Sequence, residues 1–260
     1  MTAAFQYDVW LHALPVLLVA ATITWLLSLP MRNVSIVDSL WSLMLFAAGV
    51  VYGLWADPRA PRLDFALWLL AAWAFRLSLF ITARSIGKGE DHRYQAIRER
   101  NQPGFAWKSL YLVFWLQALL AWIISLPLLG AFASNRPIGW LDRAGIALWL
   151  FGFLFEVIGD WQLARFKRNP DNAGQVMDRG LWRYTRHPNY FGEFCVWWGF
   201  YLIALSAGAW WSIVGPALMS FLLLRVSGVT LLEKDIGNRR PRYADYVRKT
   251  NAFFPGRSRK

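Results

Sequence analysis

The chain has 260 residues, 57% of them hydrophobic, with 17 Trp, a mean hydropathy of +0.30 and a net charge of +12. That composition excludes an ordinary soluble domain, because repeated apolar runs of ~20 residues can cross a bilayer as helices. A pI near 10.3 raises nucleic acid as a partner, but the basic residues gather in a few loops and the tail, as membrane topology requires, and no nucleic-acid module is visible.

In chain order the apolar runs predict an all-α membrane protein with seven transmembrane helices, at roughly 9–30, 36–55, 64–86, 107–131, 140–166, 190–207 and 210–232. No Lys or Arg precedes the first run and Asp8 does, so no secretory signal peptide is expected. Basic residues crowd the connection between helices 3 and 4 (Arg84 to Lys108), that between helices 5 and 6 (Arg165 to Arg186), and the tail from Lys234 to Lys260. With seven helices these three regions share one side, which predicts the N-terminus outside and the C-terminus in the cytosol. The chain reads as one membrane domain over 1–260 with no internal repeat. Residues 1–106 form the expected substrate side, and 107–260 carry the cofactor signature and the basic tail.

Cys195 lies inside an apolar run, so no internal disulfide and no Cys-based metal site is expected. His12, His92 and His187 are far apart and show no ligand spacing, so no metal is expected either. There is no GxGxxG and no GxxxxGK[ST]; a nucleotide would have to be held by the membrane domain and its loops.

Ionisable residues within membrane helices are the informative set, since each costs about 2.5–3.5 kcal/mol on insertion scales unless it is paired or wet. Here they are Asp38, Arg76, Glu156, Asp160, Glu193, Arg225 and Glu233, and most lie toward the cytosolic end of the C-terminal half. Glu156 and Asp160 are four apart on one helix face, with Lys167 further along it. The densest chemistry is the run GLWRYTRHPNYFGE at 180–193. Pro188 suits a first helical turn, and a helix starting there aims free N–H groups at Arg183, Arg186 and His187, a plausible anion site. Asn189 and Glu193 then share a helix face.

This run resembles the C-terminal signature of the membrane steroid 5-alpha-reductase family, and the tail LLEKDIGNRRPRYADYVRKTNAFFP looks like that family's closing stretch. The resemblance covers roughly residues 150–255, with helices 2 and 3 more loosely similar. It implies seven helices, NADPH bound from the cytosolic side, and reduction of the C=C of a 3-oxo-Δ4 steroid or similar enone. Carried over by position, the implied cofactor residues are Asp160, Lys167 with Arg168, Tyr184, Asn189, Glu193 and Arg225, and Asp38 best matches the acid that meets the substrate carbonyl. Arg93, Tyr94, Glu156, Arg179 and His187 complete the expected NADPH set, and Trp41 and Trp73 the expected substrate wall. The family pairs its acid with a Tyr on helix 3; here helix 3 has none, and Trp73 is nearest to the place.

Hydride addition to an enone builds negative charge on the carbonyl oxygen, and a protonated acid in an apolar site stabilises it, the role expected of Asp38. Arginine-rich loops suit the phosphates of NADPH. The expected setting is a bacterial inner membrane, or the endoplasmic reticulum in a eukaryote, with the chain acting as a monomer on a hydrophobic, steroid-like substrate that arrives through the lipid bilayer. Two readings stay open beside it. Membrane methyltransferases that use S-adenosylmethionine share the RHPxYxG run, and a lipid-binding or transport protein needs no nucleotide at all.

Overall fold

Four helical segments are long and apolar enough to cross a membrane: Tyr7–Met31, Val34–Trp55, Leu63–Ser85 and Phe105–Phe132. They belong to a computed structural model that describes residues 3–57, 59–226 and 243–258. Named in chain order, the helices are α1 (Tyr7–Met31), α2 (Val37–Trp55), α3 (Leu63–Ser85), α4 (His92–Arg100), α5 (Phe105–Ser109), α6 (Leu116–Ile124), α7 (Leu126–Phe132), α8 (Trp140–Arg168), α9 (Pro188–Ser206), α10 (Val214–Phe221) and α11 (Tyr243–Lys249). Among the described residues there is no strand, only one isolated parallel bridge between Thr185 and Asn251.

Each of the seven expected helices corresponds to helical structure, with bounds moved by a few residues. Residues 227–232 of the seventh, and Glu233, lie outside the described residues. α8 is the longest helix at 29 residues, but its polar positions, from Asp142 and Arg143 to Lys167 and Arg168, set its composition apart from the four apolar segments.

The chain divides into two compact units, Met1–Gly139 with Ala204–Gly215, and Trp140–Ile203 with Pro216–Lys260. In the first, α2 packs between α1 and α3, and α6 lies against α1 and α2. Its core holds Tyr52, Leu70, Trp73, Phe105 and Phe114, all essentially inaccessible. Several of the polar groups this core buries are hydrogen-bonded. The hydroxyls of Tyr52 and Ser125 are 2.8 Å apart, and Ser42 donates to the carbonyl of Ala74 at 2.8 Å. Arg62 is fully buried and donates to the carbonyls of Arg136 and Pro137 at 2.8 and 3.2 Å, so its charge is spread over backbone dipoles.

A π-helical turn, Leu110–Trp115, interrupts the segment between α5 and α6. Such turns re-aim the side chains that follow them. Here the next polar side chain is Gln117.

The second unit is built on a seam of glycines. Gly145, Gly152 and Gly159 recur every seven residues on α8, which keeps them on one face, and Gly192 and Gly199 do the same on α9. A Cβ on Gly152 would lie 2.6 Å from the carbonyl oxygen of Gly192 and 2.7 Å from Cβ of Cys195. One on Gly145 would lie 2.7 Å from the carbonyl oxygen of Gly199. Small residues in this register let two helix backbones touch, where dispersion and weak Cα–H contacts replace side-chain packing.

Candidate functional site

Asp38 stands in the first turn of α2. The chain reaches it through Asn33, whose side chain accepts from the N–H of Ser35 at 3.0 Å and so caps the short turn Val34–Ile36. The connection after α3 folds back onto this spot. Glu90 accepts from the N–H of Val34 at 2.8 Å and is gripped by Arg98 through two bonds of 2.8 Å. The N–H of Asp91 donates to the Ser35 hydroxyl at 2.8 Å, and Asp91 caps α4 by accepting from the N–H of Arg93. These bonds bring the start of α4 to the start of α2.

α4 thereby delivers two side chains to Asp38. Arg93 donates to Oδ2 at 2.8 Å, and the Tyr94 hydroxyl donates to Oδ1 at 2.5 Å. The Tyr94 oxygen also accepts from the Gln117 amide at 3.1 Å. Tyr94 is 7% exposed, while the side chains of Asp38 and Arg93 are each 21% exposed, so the group is sheltered with one open edge.

The electrostatics follow from this geometry. Burial, then the neighbouring Asp38 charge and the bond to it, push the Tyr94 hydroxyl well above the ordinary phenol range. Burial works against the Arg93 charge, but Asp38 and Asp91 outweigh it and raise Arg93 further. Glu90 is also set by opposing effects: burial raises it, and the bonds from Arg98 and the Val34 N–H overcome this and hold it below its usual value.

Asp38 was expected among apolar neighbours, with Arg93 and Tyr94 placed at the cofactor. All three instead form one cluster in the first unit. Trp41 lies half-buried about one turn further along α2, and Trp73 is fully buried in α3. Gln117 was missed. Its signal is a lone amide in the apolar run LYLVFWLQALLAW, where an unpaired polar group is costly.

In the second unit, Glu156, Asp160, His187 and Glu193 are buried and Asn189 is half-buried. None of the four buried residues lacks a partner. The glycine seam positions them: a Cβ on Gly192 would lie 2.6 Å from Cβ of Glu156, and Gly159 faces Pro188 and the N–H of Asn189. His187 stacks on Tyr190, their ring centroids 5.7 Å apart. Lys167, Arg168, Arg179, Tyr184 and Arg225 are exposed.

The run before α9 is tied to the C-terminal segment. Thr185 donates to the carbonyl of Phe253 at 2.7 Å, and the N–H of Arg186 to that of Asn251 at 2.9 Å. The Arg186 guanidinium donates to the carbonyls of Thr250 and Val247 at 2.7 and 3.2 Å, where it satisfies the open end of α11. This corrects the reading of Arg186 as part of an anion site, since the guanidinium is buried against backbone carbonyls. Tyr246 donates to the carbonyl of Trp182 at 2.5 Å, and Trp182 to that of Gly159 at 3.0 Å. Gly180 has φ +59, and a Cβ there would lie 2.4 Å from the Gln162 amide that accepts the N–H of Leu181, so the turn needs glycine.

An uncharacterised protein of Schizosaccharomyces pombe, C594.04c, is 26% identical over 274 residues, covering 91% of this chain and 77% of that one. Human 3-oxo-5-alpha-steroid 4-dehydrogenase 1 is 33% identical over 84 residues, which is 32% of this chain and 30% of the enzyme. The mouse enzyme of the same name is 38% identical over 80 residues, 30% of this chain and 29% of that one. The resemblance to the steroid 5-alpha-reductases thus holds over a part of each chain. No solved structure matches. Residues 24–250 match the family described as protein of unknown function DUF1295, and the chain belongs to that family.

Proposed function

We propose that this chain is a membrane reductase that uses NADPH to saturate the C=C of a hydrophobic enone, of the 3-oxo-Δ4 steroid type. The observation that carries the reading is the Tyr94–Asp38 pair, a sheltered hydroxyl held between a carboxylate and the Gln117 amide. The partial similarity to steroid dehydrogenases supports the same class.

The chemistry assigns each residue a part. Adding a hydride to the β-carbon moves an electron pair through the C=C onto the carbonyl oxygen, and a proton from water then reaches the α-carbon as the carbonyl re-forms. Tyr94 has a single hydroxyl hydrogen, which it gives to Asp38 in this structure; it turns that hydrogen to the substrate oxygen as charge develops, the stabilisation an oxyanion site provides. A neutral phenol is needed for this, and burial beside Asp38 keeps Tyr94 neutral well above physiological pH. Asp38 acts through Tyr94: it holds the hydroxyl in place until the substrate oxygen takes over the hydrogen bond, while Arg93 fixes the carboxylate. Asp38 is one methylene shorter than a Glu, and Tyr94 on α4 serves where the family uses a Tyr on helix 3.

NADPH supplies the hydride when bound. The donor set of the second unit suits it: exposed Lys167, Arg168 and Arg179 match its phosphates in charge, and buried Asp160, Glu193 and half-buried Asn189 offer partners for an amide and hydroxyls.

The proposal includes seven crossings, with the N-terminus outside and the C-terminus in the cytosol. α8 and α9 cross in this reading although each carries acidic residues, because Glu156 and Asp160 of α8 and Glu193 of α9 are buried, and Glu156 lies against Gly192 of α9. The test is direct. Purified protein mixed with NADPH and a 3-oxo-Δ4 steroid should consume both. Methyl transfer from labelled S-adenosylmethionine in their place would put the chain among the methyltransferases.

A further inference from the structure

Gln117 sits half-buried in the membrane segment Phe105–Phe132, where a side-chain amide is costly unless something bonds it. Its nitrogen donates to the Tyr94 oxygen at 3.1 Å, and among the described residues that is the only hydrogen bond the side chain makes. The direction of the bond is forced. Tyr94 gives its single hydrogen to Asp38, a carboxylate that only accepts, so the amide must turn its nitrogen to the phenol. Neighbouring positions on α6 do something else: Leu116 and Leu119 are exposed, and Ala118 and Ala121 are packed in the core.

The π-helical turn just before α6 aims this amide. Trp25 on α1 donates to the carbonyl of Ala106 at 2.8 Å and so anchors α5, and Trp115, at the end of the turn, donates to the Thr22 hydroxyl at 3.0 Å. The extra residue of such a turn swings every later side chain by about 100° relative to α5. A straight helix would carry Gln117 away from Tyr94. The phenol is fixed on its other sides as well. Asp38 takes the hydroxyl at 2.5 Å, and the Arg93 guanidinium lies over the ring, 5.6 Å from its centroid.

When the Tyr94 hydrogen turns from Asp38 to a substrate oxygen, the phenol oxygen and Oδ1 of Asp38 are left with lone pairs facing at short range. Those oxygens repel, and the phenol would swing off unless another donor held it. Gln117 is that donor. Burial and the Asp38 charge push the Tyr94 hydroxyl up, whereas the Gln117 bond pulls it down, because it favours negative charge on the phenol oxygen. The same effect makes the hydroxyl a stronger donor. We infer that Gln117 is a positioning residue of the enone reduction: it keeps the Tyr94 oxygen in place while the hydroxyl turns from Asp38 to the substrate carbonyl. This role rests on the reductase reading, and it extends the site from α2 and α4 to α6.

The full chain in detergent, loaded with NADPH, can be assayed on androst-4-ene-3,17-dione beside Gln117→Leu, which keeps the volume and removes the amide. The kcat of the variant should fall about 3- to 10-fold, the worth of one neutral hydrogen bond, with KM and NADPH affinity unchanged. Gln117→Asn leaves the amide one methylene short of Tyr94 and should behave alike. In the Tyr94→Phe background, Gln117→Leu should slow turnover no further; losses that multiply would make Gln117 a packing residue and overturn this role. A readout free of turnover is the ionisation of 3,5-difluorotyrosine incorporated in place of Tyr94, followed by fluorine NMR. Its ionisation constant should be about 3- to 10-fold smaller in Gln117→Leu. An unchanged constant would overturn the role whether or not the steroid is reduced. A smaller constant, in a protein whose parent leaves the C=C intact, would sink the reductase reading and keep Gln117 as the residue that holds Tyr94.

Discussion

The hydroxyl of Tyr94 lies 2.5 Å from Oδ1 of Asp38, although the two residues are 56 positions apart in the chain. A connection between two apolar helices has folded back to complete a polar cluster at the head of α2. Tyr94→Phe removes the hydroxyl and leaves the ring that fills the space. Turnover of an enone should fall by ~10²-fold or more, the size of effect seen when one donor to a developing oxyanion is lost. NADPH affinity should be unchanged. Steady-state kinetics beside a binding titration would separate the two, and a loss of both in parallel would mean Tyr94 belongs to the cofactor.

Asp38→Asn keeps an oxygen that can accept from Tyr94 but ends the ion pair with Arg93. As a positioning residue, Asp38 should lower kcat more than it raises KM when replaced. The rise in activity with a more electron-poor enone should be steeper in the variant. Wild-type turnover in both Asp38→Asn and Asp38→Leu would reduce Asp38 to a helix-end charge.

Glu90 supplies a pH dependence. Its carboxylate is held below the usual range despite burial, so folding favours the ionised form. The sign follows from linkage. The stabilisation is full above about pH 5, begins to fade below the unfolded value of about 4.3, and is lost as pH falls through the lowered folded value. Glu90→Gln should therefore melt below the parent at pH 7, and the gap should narrow on acidification toward pH 3. A constant gap across that range would show the charge does not matter.

Gly152→Ala tests the seam. The added Cβ would meet the carbonyl oxygen of Gly192 at 2.6 Å, and neither partner is a flexible side chain. Forcing the helices apart should cost about 1–3 kcal/mol, read as a lowered melting temperature in detergent. Gly174→Ala is the control: nothing lies within 4 Å of its Cβ, and at φ +75 it should show only the smaller backbone cost.

Much of the fold was legible in the chain because apolar runs bounded by charge report membrane helices without tertiary knowledge. The glycine spacing of seven was on view as well, in Gly145, Gly152 and Gly159. Its meaning needs the partner, since only contact with Gly192 and Gly199 turns a repeat into a seam. The pairing of Asp38 with Tyr94 was not legible. It depends on how Glu90 and Asp91 dock on Val34 and Ser35, and no periodicity encodes a loop returning to a helix start. Arg186 misled for the converse reason: at a helix entrance an arginine reads as an anion ligand, and only the position of the C-terminal segment shows what it bonds.

In the proposed reaction Tyr94 and Asp38 serve the carbonyl of an enone reduced with NADPH. The most direct measurement is single-turnover mixing of NADPH-loaded protein with a 3-oxo-Δ4 steroid, for the parent and for Tyr94→Phe. Stoichiometric loss of nicotinamide absorbance with formation of the saturated ketone, slowed ~10²-fold in the variant, is the predicted result. NADPH oxidation that proceeds equally fast in Tyr94→Phe, or a parent protein that leaves the C=C intact, would contradict it.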